Sequence, residues 1–230
     1  GPVRVGGTLN HESATGPGVG YVAHYTDAGT KTDTPITEIP NSVYVVTKQE
    51  IIDRQSQNVL ETLQYLPGIL APNGTAQNGA ANGNSSNGQG NIMMRGFGST
   101  QYVDGIMSYS TSAGETAFVE RVEALMGPAS VLYGQVGPGG LIATRLKQPT
   151  DTPIRNVTVG FGNWGRYEAT VDVGDKVNKS GSVKYRVAAI GVTQGTQQDY
   201  VHYKRVGVLP SIKWDIDDKT SLTLLGEYMY

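Results

Sequence analysis

The sequence predicts an α+β domain followed by antiparallel β-strands of a transmembrane β-barrel, with the barrel only partly represented. Three observations lead there. Residues 154–230 run in alternating apolar and polar segments of about 10 residues, against ~5–6 for a globular strand and ~9–11 for a membrane-spanning one. Residues 42–148 instead mix short β-branched runs with capped helical segments. Thirteen tyrosines stand against three phenylalanines, a bias that suits surfaces part apolar and part wet, such as the girdles of membrane barrels.

Residues 1–40 are polar, rich in Gly, Thr and Pro, and lack periodicity, so they read as an extended or mobile leader. Ser42–Thr47 is a β-branched strand, and Thr47-Lys48-Gln49-Glu50 is a capping box that opens a helix to about Gln55. A second helix runs from about Asn58 to Tyr65. It has Val59, Leu60, Leu63 and Leu66 on one face, is stopped by Pro67-Gly68, and should bury Leu63 and Leu66. Residues 72–91 are a Gly/Asn/Ser/Gln tract that cannot bury a core and reads as an exposed loop. Two short strands, 92–97 and 102–106, follow, joined by the polar loop 98–101. Phe118–Leu125 is a strand, Ala129–Tyr133 a short helix, Gly134–Gly140 a glycine-rich turn and Leu141–Leu146 a last strand. Pro149-Thr150-Asp151-Thr152-Pro153 marks the domain boundary, giving a leader (1–40), a compact domain (41–148) and barrel strands (149–230).

Beyond it, Tyr167, Ala169, Val171 and Val173 share one face, as do Val183, Tyr185, Val187 and Ala189. Val206, Val208, Ile212 and Trp214 do so in the next segment, and Leu222, Leu224, Tyr228 and Tyr230 in the last. With 155–161 these make five strands. The pattern alone also admits a soluble β-sandwich or meander.

The net charge of −2 argues against a nucleic-acid partner. The chain has no cysteine, which excludes disulfides, thiolate metal sites and cysteine nucleophiles. Gly137-Pro138-Gly139-Gly140 lacks the Gly-Lys-Ser/Thr of a phosphate loop, and Ser130 lacks the glycines of a nucleophile elbow. His11, His24 and His202 have no metal-ligand spacing. Neither an enzyme nor a resident metal is expected. Arg95, Arg121 and Glu123 lie within apolar strands, on a solvated sheet face or against a carboxylate-bearing surface such as a barrel wall.

Several stretches resemble the TonB-dependent receptors, in particular the siderophore branch with ferrichrome-type hydroxamate receptors. They are 30–36, Pro40-Asn41-Ser42-Val43, 60–69, Met94-Arg95-Gly96-Phe97, Tyr102-Val103-Asp104-Gly105-Ile106, Val119-Glu120-Arg121-Val122-Glu123, 127–134 and 138–142. The resemblance implies a plug domain inside a 22-stranded barrel in the Gram-negative outer membrane. Such a receptor imports a ferric siderophore with energy from an inner-membrane TonB complex pulling an N-terminal box, of which Val3-Arg4-Val5 is at most a remnant. Iron would arrive held by the siderophore, with no protein cofactor. The partners are then the ferric siderophore, TonB and outer-membrane lipid, and phage or bacteriocin use is open. A passive porin or adhesin-like barrel is the alternative. Met126, Ala143 and Leu146 depart from the family's usual residues. With about five strands, the chain is expected to be a fragment of the receptor, because an open sheet cannot span a bilayer.

The resemblance places substrate at the apex of the plug, with Ser99, Thr100, Gln101 and Tyr109 as candidate contacts and Arg95, Arg121 and Glu123 as plug–barrel contacts. If 92–97 and 102–106 pair antiparallel, loop 98–101 and Tyr109 fall at opposite ends. Both reach the apex only if the chain folds back after Ile106.

Overall fold

The computed structural model describes residues 12–70, 92–108, 115–195, 202–217 and 219–230. These form two compact units: Gly1–Gly114 with Glu120–Arg145, and Glu115–Val119 with Leu146–Tyr230.

The first unit opens with a hairpin of β1 (Tyr25–Thr26) and β2 (Thr34–Pro35) and a 3-10 turn at Ile36–Glu38. The described part of the extended or mobile leader packs on the first unit, with Ala14, Thr26, Ala28 and Ile39 buried. β3 (Ser42–Val46) leads into α1 (Lys48–Asp53), where Thr47 accepts the Glu50 N–H at 3.3 Å as a cap should. α2 (Val59–Leu63) is capped likewise by Asn58, while Glu61 accepts the Gln57 N–H. Val59, Leu60 and Leu63 are buried as predicted. Leu66 is only half-buried, because the helix ends at Leu63, two residues before the expected Tyr65.

β4 (Ile69–Leu70), β5 (Met93–Met94) and β6 (Phe97–Gly98) form a small sheet. β7 (Thr100–Val103) and β8 (Ile106–Met107) form a second hairpin. The two straight strands expected at 92–97 and 102–106 are thus each folded in two. Arg95-Gly96 and Asp104-Gly105 both have two successive positive φ angles, 52° and 85°, then 46° and 82°, the geometry of a two-residue hairpin turn. A 3-10 turn, Thr116–Phe118, precedes β9 (Val119–Met126). α3 (Ser130–Tyr133) and β10 (Gly140–Leu146) follow.

The main sheet of this unit has the order β3-β9-β10-β7-β8, with β3–β9 antiparallel and β10–β7 parallel. Every residue of β9 and β10 is buried. Tyr102, Leu125, Ala129, Tyr133, Leu141 and Ala143 form the apolar core. The Tyr102 hydroxyl donates to the Tyr133 carbonyl at 2.7 Å, so a buried phenol is satisfied. Gly140 is forced by close approach: a Cβ there would lie 2.1 Å from the Leu125 carbonyl.

The second unit carries β11 (Ile154–Gly162), β12 (Arg166–Lys176), β13 (Val183–Gly195), β14 (His202–Asp215), β15 (Ser221–Leu225) and β16 (Tyr228–Met229). They form one antiparallel sheet in chain order, β15 and β16 both pairing with β14. The fifth predicted strand is thus split in two at Gly226-Glu227. No helix among the described residues is long and apolar enough to cross a membrane.

Candidate functional site

The second unit reverses the exposure of a soluble protein. Its apolar side chains point outward: Phe161 is 78% exposed and Val157 71%, and Tyr167, Val206, Trp214 and Leu224 are also exposed. The opposite side of the same strands holds the covered charges. Arg186 grips Asp172 through two bonds, 2.8 and 2.9 Å, and Lys147 reaches the same carboxylate at 2.7 Å. Lys184 pairs with Asp151 at 2.5 Å and Asp215 at 2.7 Å. The Gln148 carbonyl accepts from Arg186 at 2.9 Å. The segment Lys147–Asp151 is therefore stapled three times to the polar side of the sheet. Near the other end of the strands, Glu115 accepts from the Tyr203 hydroxyl at 2.6 Å and from Arg205 at 2.7 Å. Arg166 binds Gln194 at 2.7 Å and contacts Glu168. Apolar side out and paired charges in is the arrangement of a strand with hydrocarbon on one side and a polar interior on the other.

In the first unit, the candidate apex residues divide. Ser99 and Thr100 are buried, not loop-exposed, because β7 begins at Thr100 and the Ser99 hydroxyl donates to the Ile92 carbonyl at 2.9 Å. Gln101 is half-exposed within β7. The Ser108 N–H donates to the Gln101 carbonyl at 2.9 Å. The chain thus folds back at Asp104-Gly105, earlier than the return after Ile106 that the apex placement required, and residues 101 and 108 are neighbours. Tyr109 lies outside the described residues. Among the described residues no group of three or more His, Asp or Glu side chains is placed to hold a metal.

The three charged candidates also part company. Arg95 is exposed at the tip of the β5–β6 turn. Arg121 and Glu123 are fully buried, and among the described residues they contact each other and the leader. Arg121 donates to the carbonyls of Tyr25 at 2.9 Å and of Ser13 and Gly16 at 3.4 Å each, with its Nε 3.2 Å from Glu123 Oε1. Thr26 donates to Glu123 at 2.8 Å. Burial pushes the Glu123 carboxyl up to about 7, against the opposing pull of Arg121 and Thr26. Arg145 pairs with Asp27, and Lys31 lies 3.7 Å above the Tyr133 ring. Burial also raises the Tyr133 phenol to about 12. Asp27, Arg145, Lys147 and Asp172 were not singled out from the sequence. The alternating Arg145-Leu146-Lys147 charge at the end of an apolar strand was the available signal.

Comparison with known proteins fits this geometry. The TonB-dependent Receptor Plug Domain family matches residues 35–141. The ferrichrome outer membrane transporter/phage receptor of Escherichia coli K12 is 32% identical over 94% of the chain and 29% of that protein. The metal-pseudopaline receptor CntO of Pseudomonas aeruginosa is 34% identical over 96% of the chain and 30% of that protein. Among solved structures, the pyoverdine outer membrane receptor FpvA from Pseudomonas aeruginosa PAO1 bound to pyoverdine is 26% identical, with a TM-score of 0.78 over 91% of the chain and 30% of that receptor. The chain spans about three tenths of the length of the curated relatives it matches.

Proposed function

The chain belongs to the TonB-dependent receptors, with a plug domain followed by antiparallel strands, and from that premise we propose that the whole protein is a ferric-siderophore importer of the Gram-negative outer membrane, energised through TonB. One observation carries the reading: a plug-type sheet continues directly into strands whose apolar side faces out and whose charges are paired on the other side. This is a receptor family, not an enzyme family. The iron is cargo wrapped in its chelator, so the chain need only offer hydrogen bonds and aromatic faces at the mouth. Gln101, half-exposed beside Ser108, remains the described residue best suited to touch that cargo, with Tyr109 next along the chain. Surface loops that capture a chelate also suit a phage or bacteriocin.

The test is iron-limited growth of a strain lacking its own siderophore receptors, complemented with the full-length gene. Growth should return on a ferric hydroxamate and vanish when TonB is deleted. TonB-independent entry of the chelate and of unrelated small solutes would establish a passive porin instead. Gln101→Ala should weaken chelate binding by about 1–3 kcal/mol, the scale of one buried hydrogen bond to a polar ligand.

A further inference from the structure

One row of the second unit breaks the rule that like charges avoid facing each other across a sheet. Lys176 on β12 stands directly opposite Lys184 on β13, and Lys184 directly opposite Lys213 on β14. Lys213 in turn faces Thr223 on β15. Facing residues share a side of the sheet, as do residues two apart along a strand. The row therefore lies on the polar side with Arg186 and Asp172, at the strand ends beside the turns 177–182 and 216–220. Two carboxylates answer its three ammonium groups. Asp215 takes Lys184 at 2.7 Å and Lys213 at 3.5 Å. Asp151, in the linker before β11, takes Lys184 at 2.5 Å. No carboxylate among the described residues lies within ion-pair distance of Lys176, which is exposed. The row thus carries one positive charge more than its own partners cancel.

Asp151 shows what the row accepts. Its side chain is 79% exposed. Its carboxyl is nevertheless held below the usual range, first by the bond to Lys184 and then, against the opposing effect of burial, by the charges of Lys184, Lys176 and Lys213. One accessible carboxylate therefore feels all three lysines. It is also expendable: when Asp151 lets go, the linker keeps Lys147 on Asp172 and the Gln148 carbonyl on Arg186.

We propose that Lys176, Lys184 and Lys213 form an oxyanion site for a ligand carrying several carboxylates, with Asp151 as its built-in competitor. One carboxylate replaces Asp151 on Lys184, and a second reaches Lys176 or Lys213, where the Thr223 hydroxyl is a neutral donor. Neighbouring strands lie ~4.8 Å apart, close to the separation of two carboxylates in a short polycarboxylic acid, so one molecule bridges two lysines. The site stands on the sheet alone and holds whether or not the receptor imports iron.

The test uses the purified full-length receptor with tricarballylate, a tricarboxylate, as the probe. Lysines are modified briefly with an amine-reactive ester and read by mass spectrometry. The probe should slow modification of Lys176 and Lys213 by about threefold and leave Lys204, near the other end of β14, unchanged. Sodium chloride at equal ionic strength should not reproduce that protection, because screening acts on every exposed lysine alike. In calorimetric titration, Lys176→Gln and Lys213→Gln should each weaken binding about three- to fivefold, the factor set by one exposed ion pair. Lys176→Arg, which keeps the charge, should restore it. Asp151→Asn should strengthen binding by the same factor, which the loss of a merely structural carboxylate would not do. Protection by chloride alone, or an Asp151→Asn receptor that binds the probe no better than the parent, would overturn the site. If Asp151→Asn does not fold, the unsubstituted receptor decides: equal modification of Lys176 and Lys213 with and without probe would also overturn it.

Discussion

If the outward side of the strands faces hydrocarbon, the cost of placing an arginine there depends on depth along the strand. Val171 is the sixth of eleven residues in β12, with five on either side. At ~3.4 Å per residue and a tilt near 40°, five residues rise about 13 Å, which puts Val171 near the middle of an apolar band ~25 Å tall. Val183 is the first residue of β13, next to the turn at 177–182, on the same outward side. Val171→Arg should therefore cost about 2–4 kcal/mol and Val183→Arg about 0–1 kcal/mol, the depth dependence known for arginine on the lipid side of a barrel. On a water-facing sheet both changes would stay within about 0.5 kcal/mol. The assay is urea unfolding of the full-length receptor in lipid vesicles, with both variants compared to the parent. Equal small costs at both positions would refute the lipid-facing assignment, and so would a larger cost at Val183 than at Val171.

Other consequences are simpler to read out. Leu63 is fully buried on α2, so Leu63→Ala should lower plug stability by about 2–5 kcal/mol in chemical unfolding; a loss below ~0.5 kcal/mol would mean that α2 does not pack as described. Because Glu123 is held near 7 when folded, against an ordinary 4.5, the folded state keeps a proton that the unfolded chain gives up. Its contribution is complete below about 4.5 and is lost as pH rises to about 7, so stability should fall across that window by a few kcal/mol at most, at ~1.4 kcal/mol per unit. Glu123→Gln should flatten the fall. Asp172→Asn should cost about 3–5 kcal/mol, because it strips the shared carboxylate from covered Arg186 and Lys147; an effect under ~1 kcal/mol would show that water already reaches them.

The parts legible in the sequence are those with local physical causes. The Thr47 cap, the Leu63 face and the alternation from Arg166 onward each depend on residues a few positions apart, and each is present. The two hairpins at Arg95-Gly96 and Asp104-Gly105 were hidden, although Asp-Gly is a strong turn pair, because the apolar residues around them read as unbroken strands. The buried state of Ser99 and Thr100 follows from the same error: once β7 starts at Thr100, those side chains belong to a sheet interior. The destination of Arg121 was not legible at all. Its acceptors are backbone carbonyls more than ninety residues earlier, and a carbonyl leaves no mark in an amino-acid sequence.

The sheet order has a kinetic side. In the plug, β3 pairs with β9, joining Ser42 to Met126 across a long polar tract, and β7 pairs in parallel with β10. In the second unit every long strand pairs with its neighbour in sequence, such as Lys176 with Lys184 across a short turn. Closing a long loop costs entropy before any contact repays it, whereas a hairpin closes in microseconds. The strands that follow the plug are therefore the faster-forming half of this chain, and β9, which needs partners from both directions, is the slowest piece to find its place.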